Sequence, residues 1–596
     1  MLRHRSSSLA IIGLIVVLLL LFLDSPDSVQ QTPFSKTASL RPSEWIPRPK
    51  LPTVDNLRLV ISTGARETLA QNSNSGVSNS YSHWKWLNPF SPSITPEEEQ
   101  TAIPPSPKRQ VVYTFYQPDS ERNSEEREAD DELLLTWRRA WYAKGFQPVV
   151  LVASEARINP LYQEVARAKL DPALESDFLK WLAWGHMGTG LLVDWRCVPM
   201  ARYDDDFLSN LRRGVDESRL TRIDKLGTAF FAGGKDKINE AIREAIKNVR
   251  NDSGNKAASK GVDGKPKSIL DFIPAELLSV NKTTSLAYYG TDTIESMYPA
   301  LAERHPESTA TRHLLLAELI NAHLHNTFLD GFQSGFTVLK PFPDNTTALV
   351  EPAMHLAKTL AKCPRSVLPQ SCPPFYPSCQ PCTSRSKKSP ITVAPSFIDS
   401  DDHYTIGVVP HPYTLLVLLR GSNHVTTRYI RRETPRDPWL HEVTKDLLEP
   451  ERGSASRVMA LRDAVAGEVA FSRTFWMTLE DLPETGMELP STFLDDLKWR
   501  LGFRLPRDDE TPESMVQAKV QDASLQTANE LIGKALETTR VKTSNRIGIR
   551  GIAEAWNLMD TEIWRLVRAF WKRSTLERKQ WQEQEKDFAG VRTLLF

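Results

Sequence analysis

Apolar residues recur with two different periods along the middle of the chain. Four short apolar runs predict buried β-strands, at 111–117, 148–152, 191–194 and 226–232. Three segments with apolar residues at helical spacing predict amphipathic helices, at 131–144, 177–187 and 236–249. Strands that alternate with helices of this length predict an α/β fold with a mainly parallel sheet.

The predicted helix ends follow from the residues that flank them. Gly145 follows the first helix as a C′ residue, and Ser176 precedes the second helix as an N-cap. The acidic run SEEREADDE, just before the first helix, is predicted to be a loop. The strand at 191–194 ends in Asp194, and α/β sheets bind ligands beyond the carboxyl ends of their strands. Asp194 is therefore the first candidate functional residue.

Composition divides the 596-residue chain into regions of different character. Ser, Pro, Asn and Gln dominate the segment after the N-terminus, which is typical of a disordered stem. The predicted regions are a cytosolic tail and signal anchor at 1–24, a stem at 25–108, an α/β domain at 109–350 with a mobile insertion at 251–268, a Cys- and Pro-rich segment at 351–400, and a mixed α+β region at 401–596.

The N-terminus predicts a membrane anchor. Arg3 and Arg5 precede an apolar run at 9–23, which Asp24 ends, and no small-x-small cleavage site follows. This pattern predicts an uncleaved signal anchor with its basic end in the cytosol. The protein is then expected to be a single-pass type II protein of the Golgi or endoplasmic reticulum membrane, with a lumenal body. A cleaved signal peptide is the alternative.

Glycosylation sequons and net charge agree with a lumenal body. Sequons occur at Asn251, Asn281 and Asn345, and each predicts an N-glycan in a secretory protein. The 74 Lys and Arg residues balance 74 Asp and Glu residues, so the net charge gives no reason to expect a nucleic-acid partner.

The cysteines also agree with an oxidising compartment. Four of the five lie close together, at Cys363, Cys372, Cys379 and Cys382. In an oxidising lumen four such residues form two disulfides, and three pairings are open. A zinc site is the alternative, because Cys379 and Cys382 form a C-x-x-C pair. The fifth, Cys197, is predicted to be a small buried residue rather than a nucleophile.

A tryptophan stripe marks the C-terminal end of the chain. Trp556, Trp564 and Trp571 follow one another at steps of eight and seven residues on a helix predicted at 551–587. This spacing places the three side chains on one helix face and predicts a docking surface rather than a ligand site. The C-terminal helices are therefore candidates for contact with complex partners.

The residues around Asp194 also carry a resemblance to a known family. The segment DFLKWLAWGHMGTGLLVDWRCVPM, at 177–200, resembles the sugar-binding DXD region of GT-A glycosyltransferases of the mannosyltransferase and α-1,4-glycosyltransferase kind. Upstream TWRRAWYAKGFQPVVL and downstream LGTAFFAGGKDKINEAI look similar to neighbouring parts of that family. The rest of the chain resembles fungal membrane-anchored proteins. The resemblance implies a GT-A-like domain that binds a nucleotide sugar and transfers a hexose to a glycan acceptor in the secretory pathway.

The resemblance assigns roles to individual residues. Asp194 matches the first Asp of the DXD pair and would be the catalytic residue. Asp177, Lys180 and Gly190 match positions that approach the donor, and Arg196 stands where the family has its second Asp. Without the resemblance, Asp177 and Lys180 are a surface ion pair at i, i+3, and Gly190 belongs to a simple turn.

Arg196 leaves three interpretations open. The family's Asp pair holds Mn²⁺ or Mg²⁺ on the donor diphosphate, whereas an arginine grips a phosphate directly. The protein is then a metal-independent transferase, or a metal site forms from Asp194 with Asp204 or Asp206, or metal binding is lost. The last case gives a catalytically inactive GT-A-fold protein that binds glycans or acts as a scaffold. As a further alternative for the acidic triplet at 204–206, these residues cap a helix.

Overall fold

The computed structural model describes only part of the chain. The described residues are 108–117, 122–252, 268–303, 308–340, 347–382, 389–394, 397–398, 400–409, 464–465, 467, 470–478, 489, 491–506 and 558–586. The predicted anchor, almost all of the predicted stem, most of the insertion and Asn345 lie outside these residues. Within them, no helix combines the length and apolar character that a bilayer span requires.

Twelve strands and thirteen helices are used below to describe this part of the chain. The strands are β1 Gln110–Phe115, β2 Phe146–Leu151, β3 Gly190–Val193, β4 Cys197–Pro199, β5 Leu220–Ile223, β6 Phe230–Gly233, β7 Leu278–Asn281, β8 Leu286–Tyr288, β9 Gly335–Leu339, β10 Ile391–Ala394, β11 His403–Val409 and β12 Thr474–Thr478. The helices are α1 Ser124–Ala143, α2 Ala153–Ile158, α3 Tyr162–Arg167, α4 Pro172–Met187, α5 Asp206–Arg213, α6 Lys235–Asp252, α7 Thr291–Met297, α8 Pro299–Ala302, α9 Thr309–Gly331, α10 Thr347–Ala361, α11 Ala470–Arg473, α12 Ser491–Leu501 and α13 Leu558–Lys586.

The first sheet has six strands in the order β2-β1-β3-β6-β5-β7. Strands β2, β1 and β3 are parallel, but β6 runs antiparallel to both β3 and β5. Strands β5 and β7 are again parallel, so β6 alone runs against the other five strands and the prediction of a mainly parallel sheet is confirmed only in part. The reversal at β6 arises because only residues 224–229 connect β5 to β6. So short a connection can join antiparallel neighbours, whereas a parallel pair needs a crossover of about a dozen residues or more.

The second sheet is parallel throughout, in the order β10-β9-β11-β12. Strand β9 precedes residue 350 and the other three strands follow it. The predicted domain boundary at 350 therefore falls inside the stretch of chain that builds this sheet. Over the described residues the protein is a mixed α/β structure. Its C-terminal part contributes to a parallel sheet, whereas the sequence predicts a mixed α+β region there.

Two helices begin earlier than the sequence predicts. Helix α1 includes the acidic run that was expected to be a loop, because Asn123 and Glu126 form a capping box at its start. Acidic side chains in a first turn also interact favourably with the helix dipole. Helix α4 begins at Pro172 rather than after Ser176, and proline is well suited to a first helical position.

One apolar core connects the two sheets. Helix α1 contributes the fully buried Trp137 and Trp141 to a cluster that also contains Leu191 of the first sheet and Ile406 of the second. The Trp141 indole donates to the Cys197 carbonyl oxygen at 3.0 Å. Cys197 itself is fully buried, and burial raises the pKa of its thiol well above the usual value. The prediction that Cys197 is a buried residue is confirmed.

A second core covers the opposite face of the first sheet. It packs Trp181 and Trp184 of α4 and the apolar side of α6 against Tyr113 and Phe231. The Trp181 and Phe231 ring centroids lie 4.8 Å apart. This packing fixes α4 beside the strand that leads to Asp194.

The Cys- and Pro-rich segment has two nested disulfides. Cys363 pairs with Cys382, and Cys372 pairs with Cys379 inside that loop. Asn326 of α9 donates to the Gln380 carbonyl oxygen at 3.0 Å, which fastens the segment to the body.

The C-terminal helix packs onto the chain's own second sheet. The Trp571 indole donates to the Trp476 carbonyl oxygen at 3.0 Å, and the Arg500 guanidinium lies 3.4 Å from the centroid of the Trp571 ring. This part of the predicted docking face is therefore occupied within the molecule. Trp556 and the side chain of Trp564 lie outside what the structure describes.

Candidate functional site

The ends of two neighbouring strands define one edge of the first sheet. Tyr116 directly follows β1 and Asp194 directly follows β3, and these strands are parallel neighbours. The ring of Trp195 lies edge-on to that of Tyr116, with centroids 5.5 Å apart. The Asp194 amide donates to the Ala229 carbonyl oxygen at 2.9 Å, which ties the end of β3 to the start of β6. Asp194 thus lies at the predicted place, the carboxyl edge of a central strand.

Asp194 forms a two-pronged ion pair with Arg196. The Arg196 Nε donates to Asp194 Oδ1 at 3.1 Å and its Nη2 donates to Oδ2 at 3.3 Å. The Arg196 backbone amide adds a third hydrogen bond to Oδ1 at 2.9 Å. Burial opposes ionisation of this carboxyl, but Arg196, together with the charge of Lys180, outweighs burial and lowers the pKa of Asp194. The Asp and the Arg that the sequence singled out are therefore each other's main partners.

A two-stranded ribbon, formed by β4 and β8, holds the turn at 194–196 in place. Strand β4 begins directly after Arg196 and pairs with β8. The Tyr289 amide donates to the Arg196 carbonyl oxygen at 3.0 Å, and the Arg196 guanidinium lies 5.8 Å from the centroid of the Tyr288 ring. Because the backbone on both sides of the turn is paired, the position of the Arg196 side chain is well defined.

Lys180 and Asp177 contact different elements although they lie on one helix. Lys180 donates to the Thr228 carbonyl oxygen at 3.0 Å, and its charge acts on Asp194. Asp177 accepts a hydrogen bond at 3.2 Å from the amide of Ile269, the first residue of a short 3₁₀ helix. The structure therefore brings Lys180 towards Asp194, and it gives Asp177 a structural partner elsewhere.

Packing accounts for Gly190 without a ligand. A Cβ at this position would lie 2.8 Å from a ring carbon of Tyr113 and 3.2 Å from the Val111 carbonyl oxygen. Only glycine lets β3 approach β1 so closely. The nearby Gly188 ends α4 with a positive φ of 101°, which is the ordinary role of a turn glycine.

The acidic triplet at 204–206 forms a helix start and an ion-pair group. Asp204 accepts hydrogen bonds from Arg202 at 2.9 Å and from Arg473 at 2.8 Å. Asp205 caps α5 by accepting from the Leu208 amide at 3.0 Å, and Asp206 is the first residue of that helix. These partners support the capping interpretation of the triplet.

The described residues do not fit a divalent cation at this edge. Both carboxylate oxygens of Asp194 and both of Asp204 accept hydrogen bonds from arginines. Among the residues that the structure describes, no three His, Cys, Asp or Glu side chains come together as a potential metal site. A hard cation prefers several carboxylate oxygens, so it would have to displace Arg196 from Asp194.

A second carboxylate at the same edge was not identified from the sequence. Asp130 of α1 is fully buried, and its Oδ2 accepts from the Tyr116 hydroxyl at 2.6 Å and also from Arg122. Its Oδ1 lies 2.5 Å from Nδ1 of His313 on α9. Burial opposes ionisation, but the hydrogen bonds from His313 and Tyr116 outweigh it and lower the pKa of Asp130. We call Asp130, Tyr116, Arg122 and His313 the Asp130 group.

Trp195 joins the two groups. Its ring lies edge-on to His313 as well as to Tyr116, with centroids 5.5 Å apart in each case. The side chain of His313 is 20% exposed, whereas that of Asp130 is fully buried. When Nδ1–H of a neutral histidine donates to a carboxylate, Nε2 is left as a proton acceptor. This edge of the first sheet therefore combines two cationic side chains near Asp194, a histidine that is hydrogen-bonded to Asp130, and the aromatic ring of Trp195.

Comparison with known proteins places the chain in a family. Residues 74–593 match the family described as Domain of unknown function (DUF8765). The chain belongs to the DUF8765 family. No curated protein and no solved structure matches it.

The extent of the DUF8765 match bears on the site. It spans both sheets, the disulfide-bonded segment and α13, so these parts belong to one family unit. His313 of α9 lies 183 residues after Asp130 of α1, and both lie inside that unit. The whole candidate site therefore lies within the part of the chain that matches the family.

Proposed function

We propose that this DUF8765 protein is a glycosyltransferase of the secretory pathway that transfers a hexose from a nucleotide sugar to a glycan acceptor. The observation that carries the proposal is the position of Asp194 at the carboxyl end of a central strand, with Lys180, Trp195 and Arg196 around it. Ligands of α/β sheets bind at such strand ends. A GT-A-like arrangement of the mixed α/β fold is part of the proposal.

The donor diphosphate would bind to Arg196 and Lys180. A guanidinium forms two parallel hydrogen bonds with a phosphate as readily as with a carboxylate. The diphosphate would compete with Asp194 for Arg196, and the released Asp194 carboxylate would then accept hydrogen bonds from the sugar. Because Arg196 already supplies positive charge at this point, the proposed binding mode needs no Mn²⁺ or Mg²⁺.

The Asp130 group would supply the proton acceptor. In the transfer, the acceptor hydroxyl oxygen forms a bond to the sugar C1 while the bond from C1 to the diphosphate oxygen breaks. The electron pair of that bond stays on the diphosphate, where Arg196 and Lys180 stabilise it. The hydroxyl proton passes to Nε2 of His313, and Asp130 stabilises the imidazolium that forms.

We propose the location that the N-terminal sequence predicts, and two features of the described body support it. Two disulfides are typical of a lumenal or secreted domain. The sequon residues Asn251 and Asn281 are exposed and accessible to glycosylation. These features support the proposal of a type II protein of the Golgi or endoplasmic reticulum membrane with a lumenal body.

One observation favours a second function. The ion pair between Asp194 and Arg196 satisfies both side chains without any ligand. A protein that had lost its metal and kept its fold would look the same at this turn. The alternative is therefore a catalytically inactive protein that binds glycans or acts as a scaffold.

Thermal shift of the full-length protein in detergent separates these functions. We expect a matching UDP- or GDP-sugar, at about ten times its Kd, to raise Tm by about 1–3 °C without added Mn²⁺. Arg196→Ala should abolish this rise. The matched control Arg219→Ala should keep it, because Arg219 is 70% exposed and its ion-pair partner Asp216 lies only three residues away. No shift with any sugar nucleotide would contradict the transferase and favour the scaffold.

A further inference from the structure

A cavity of about 50 Å³ lies apart from the candidate site, and none of its lining residues belongs to that site. Its walls come from the end of α1, the loop after β4, the end of α9, the start of β11 and the segment around α11 and α12. The lining residues are Ala143, Lys144, Met200, Arg202, Tyr203, Thr327, Phe328, Phe332, Tyr404, Ser472, Arg500 and Leu501. Since a buried water needs about 10–15 Å³, this space holds about three to five waters or one small ligand.

Lys144 provides a positive charge without a close counterion at this cavity. Among the described residues, no hydrogen bond or ion pair joins its ammonium to another group. The acid with the largest effect on the Lys144 pKa, Asp204, is itself bound by Arg202 and Arg473. Burial lowers the pKa of Lys144 to about 8, and the charges of Arg202 and Arg212 act in the same direction, against Asp204 and Asp205.

The remaining walls are basic on one side and apolar on the other. Arg202 donates to the Gly331 carbonyl oxygen at 3.0 Å and lies 5.3 Å from the centroid of the Phe332 ring. Phe328 and Tyr404 pack edge-on, with centroids 5.1 Å apart, and extend the aromatic wall. Phosphate carries more charge and holds its hydration more strongly than a monocarboxylate, so its transfer to a cavity with an aromatic wall costs more free energy.

We propose that this cavity binds a short-chain carboxylate, with its carboxylate paired to the Lys144 ammonium and its alkyl chain against Phe328, Phe332 and Tyr404. Lys144 is partly buried and its ammonium has no hydrogen-bond or ion-pair partner among the described residues, so an anionic ligand would offset the cost of its desolvation. The volume matches an acid of two to four carbons rather than a sugar nucleotide. The site contains neither Asp194 nor His313, so it stands or fails independently of the proposed transferase activity.

Calorimetric titration of the full-length protein tests this binding. Acetate, propionate and butyrate are titrated at constant ionic strength, with inorganic phosphate and chloride as comparators. We expect saturable binding of the carboxylates that strengthens with chain length, and weaker or no binding of phosphate. Lys144→Met keeps the length of the side chain and removes its charge, and it should weaken butyrate binding about tenfold to hundredfold. Lys247→Met, on an exposed face of α6, is the matched control and should bind as the wild type does.

Chemical labelling of the wild-type protein keeps the test decisive if Lys144→Met does not fold. An amine-acetylating reagent is applied at pH 8 with and without butyrate, and modified peptides are counted by mass spectrometry. Butyrate should protect Lys144 at least about fivefold and leave the labelling of Lys247 unchanged, because a bound carboxylate shields only the lysine that it contacts. Equal labelling of Lys144 with and without butyrate would overturn the proposal. Phosphate binding tighter than that of every carboxylate would also overturn it.

Discussion

Two acidic side chains at one edge of the first sheet differ in how their partners reach them. Asp194 accepts three hydrogen bonds at its carboxylate from Arg196, two residues later on the same turn. Asp130 receives its partners from Tyr116 after β1, from Arg122, and from His313, which lies 183 residues later. The first pair forms locally, and the second group forms only when β1, α1 and α9 are packed. We therefore expect Asp130 to matter more for stability and Arg196 more for ligand binding.

The largest stability effect should come from Asp130→Ala. This change leaves Arg122 and His313 beside a buried cavity and removes the acceptor of the Tyr116 hydroxyl. We expect the free energy of unfolding to fall by about 3–5 kcal/mol, as when one partner of a buried charge group is removed. Chemical denaturation measures this, with Asp216→Ala as a control that should leave the free energy of unfolding essentially unchanged because Asp216 is exposed. A loss under about 1 kcal/mol for Asp130→Ala would show that the group is not stabilising.

The largest activity effect should come from His313→Gln. Glutamine keeps a polar side chain of similar reach but cannot accept a proton, so the transfer rate should fall about 10²- to 10⁴-fold. Donor affinity should stay within about twofold, because the proposed role of His313 lies in proton transfer and not in binding. The rate of sugar transfer and the donor Kd measure the two effects separately. A normal rate in this variant would remove His313 from the mechanism.

Arg196→Lys should show the opposite behaviour. Lysine keeps the charge but loses the two-pronged geometry, so donor affinity should fall about tenfold to hundredfold. The free energy of unfolding should change by less than about 1 kcal/mol, because the Arg196 side chain is 28% exposed and its pairing with Asp194 is screened. Parallel donor titration and denaturation test the contrast with Asp130. If Arg196→Lys proved more destabilising than Asp130→Ala, the comparison between the two carboxylates would be reversed.

The smallest expected effect concerns Asp131, the neighbour of Asp130. Burial, followed by the charges of Asp130 and Glu128, raises the pKa of Asp131 to about 8. An acid whose pKa is higher in the folded state than in the unfolded state loses stability as pH rises, here from about pH 4 to pH 8. Asp131→Asn should remove this loss, and the variant should be about 1–2 kcal/mol more stable than the wild type at pH 8 but not at pH 4. Denaturation at the two pH values checks this, and a pH-independent difference would contradict it.

The pKa of Asp130 predicts the opposite slope at low pH. Its folded value lies below the ordinary one, so the stabilisation is present at neutral pH and is lost as pH falls below about 4.

Local features could be predicted from the sequence, and distant pairings could not. The strand that ends at Asp194 and the burial of Cys197 follow from short apolar runs, and the structure confirms both. The predicted start of α1 is too late because an acidic run is typical of a loop, whereas here Asn123 and Glu126 cap the helix at the start of that run. The mixed direction of the first sheet depends on the short connection from β5 to β6, and a run of apolar residues does not reveal strand direction.

The Asp130 group shows most clearly what cannot be predicted from the sequence alone. Asp130 appears as one of several acids in a charged run, and His313 appears as one polar residue of a long helix. Nothing in either local pattern connects two residues 183 positions apart. One sequence feature could have pointed to this group. Tyr116 follows β1 at the same sheet edge as Asp194, so a polar partner for its hydroxyl could have been sought there. The sequence analysis also did not predict that Arg196 donates hydrogen bonds to Asp194, although only two positions separate them.

The most direct test of the account is calorimetric titration of the full-length protein with UDP- and GDP-hexoses in the presence of EDTA. The account predicts saturable binding of at least one donor without any divalent cation, and its loss in Arg196→Ala. Binding that appears only after Mn²⁺ is added, or that Arg196→Ala leaves unchanged, would contradict the central claim that Arg196 holds the donor diphosphate.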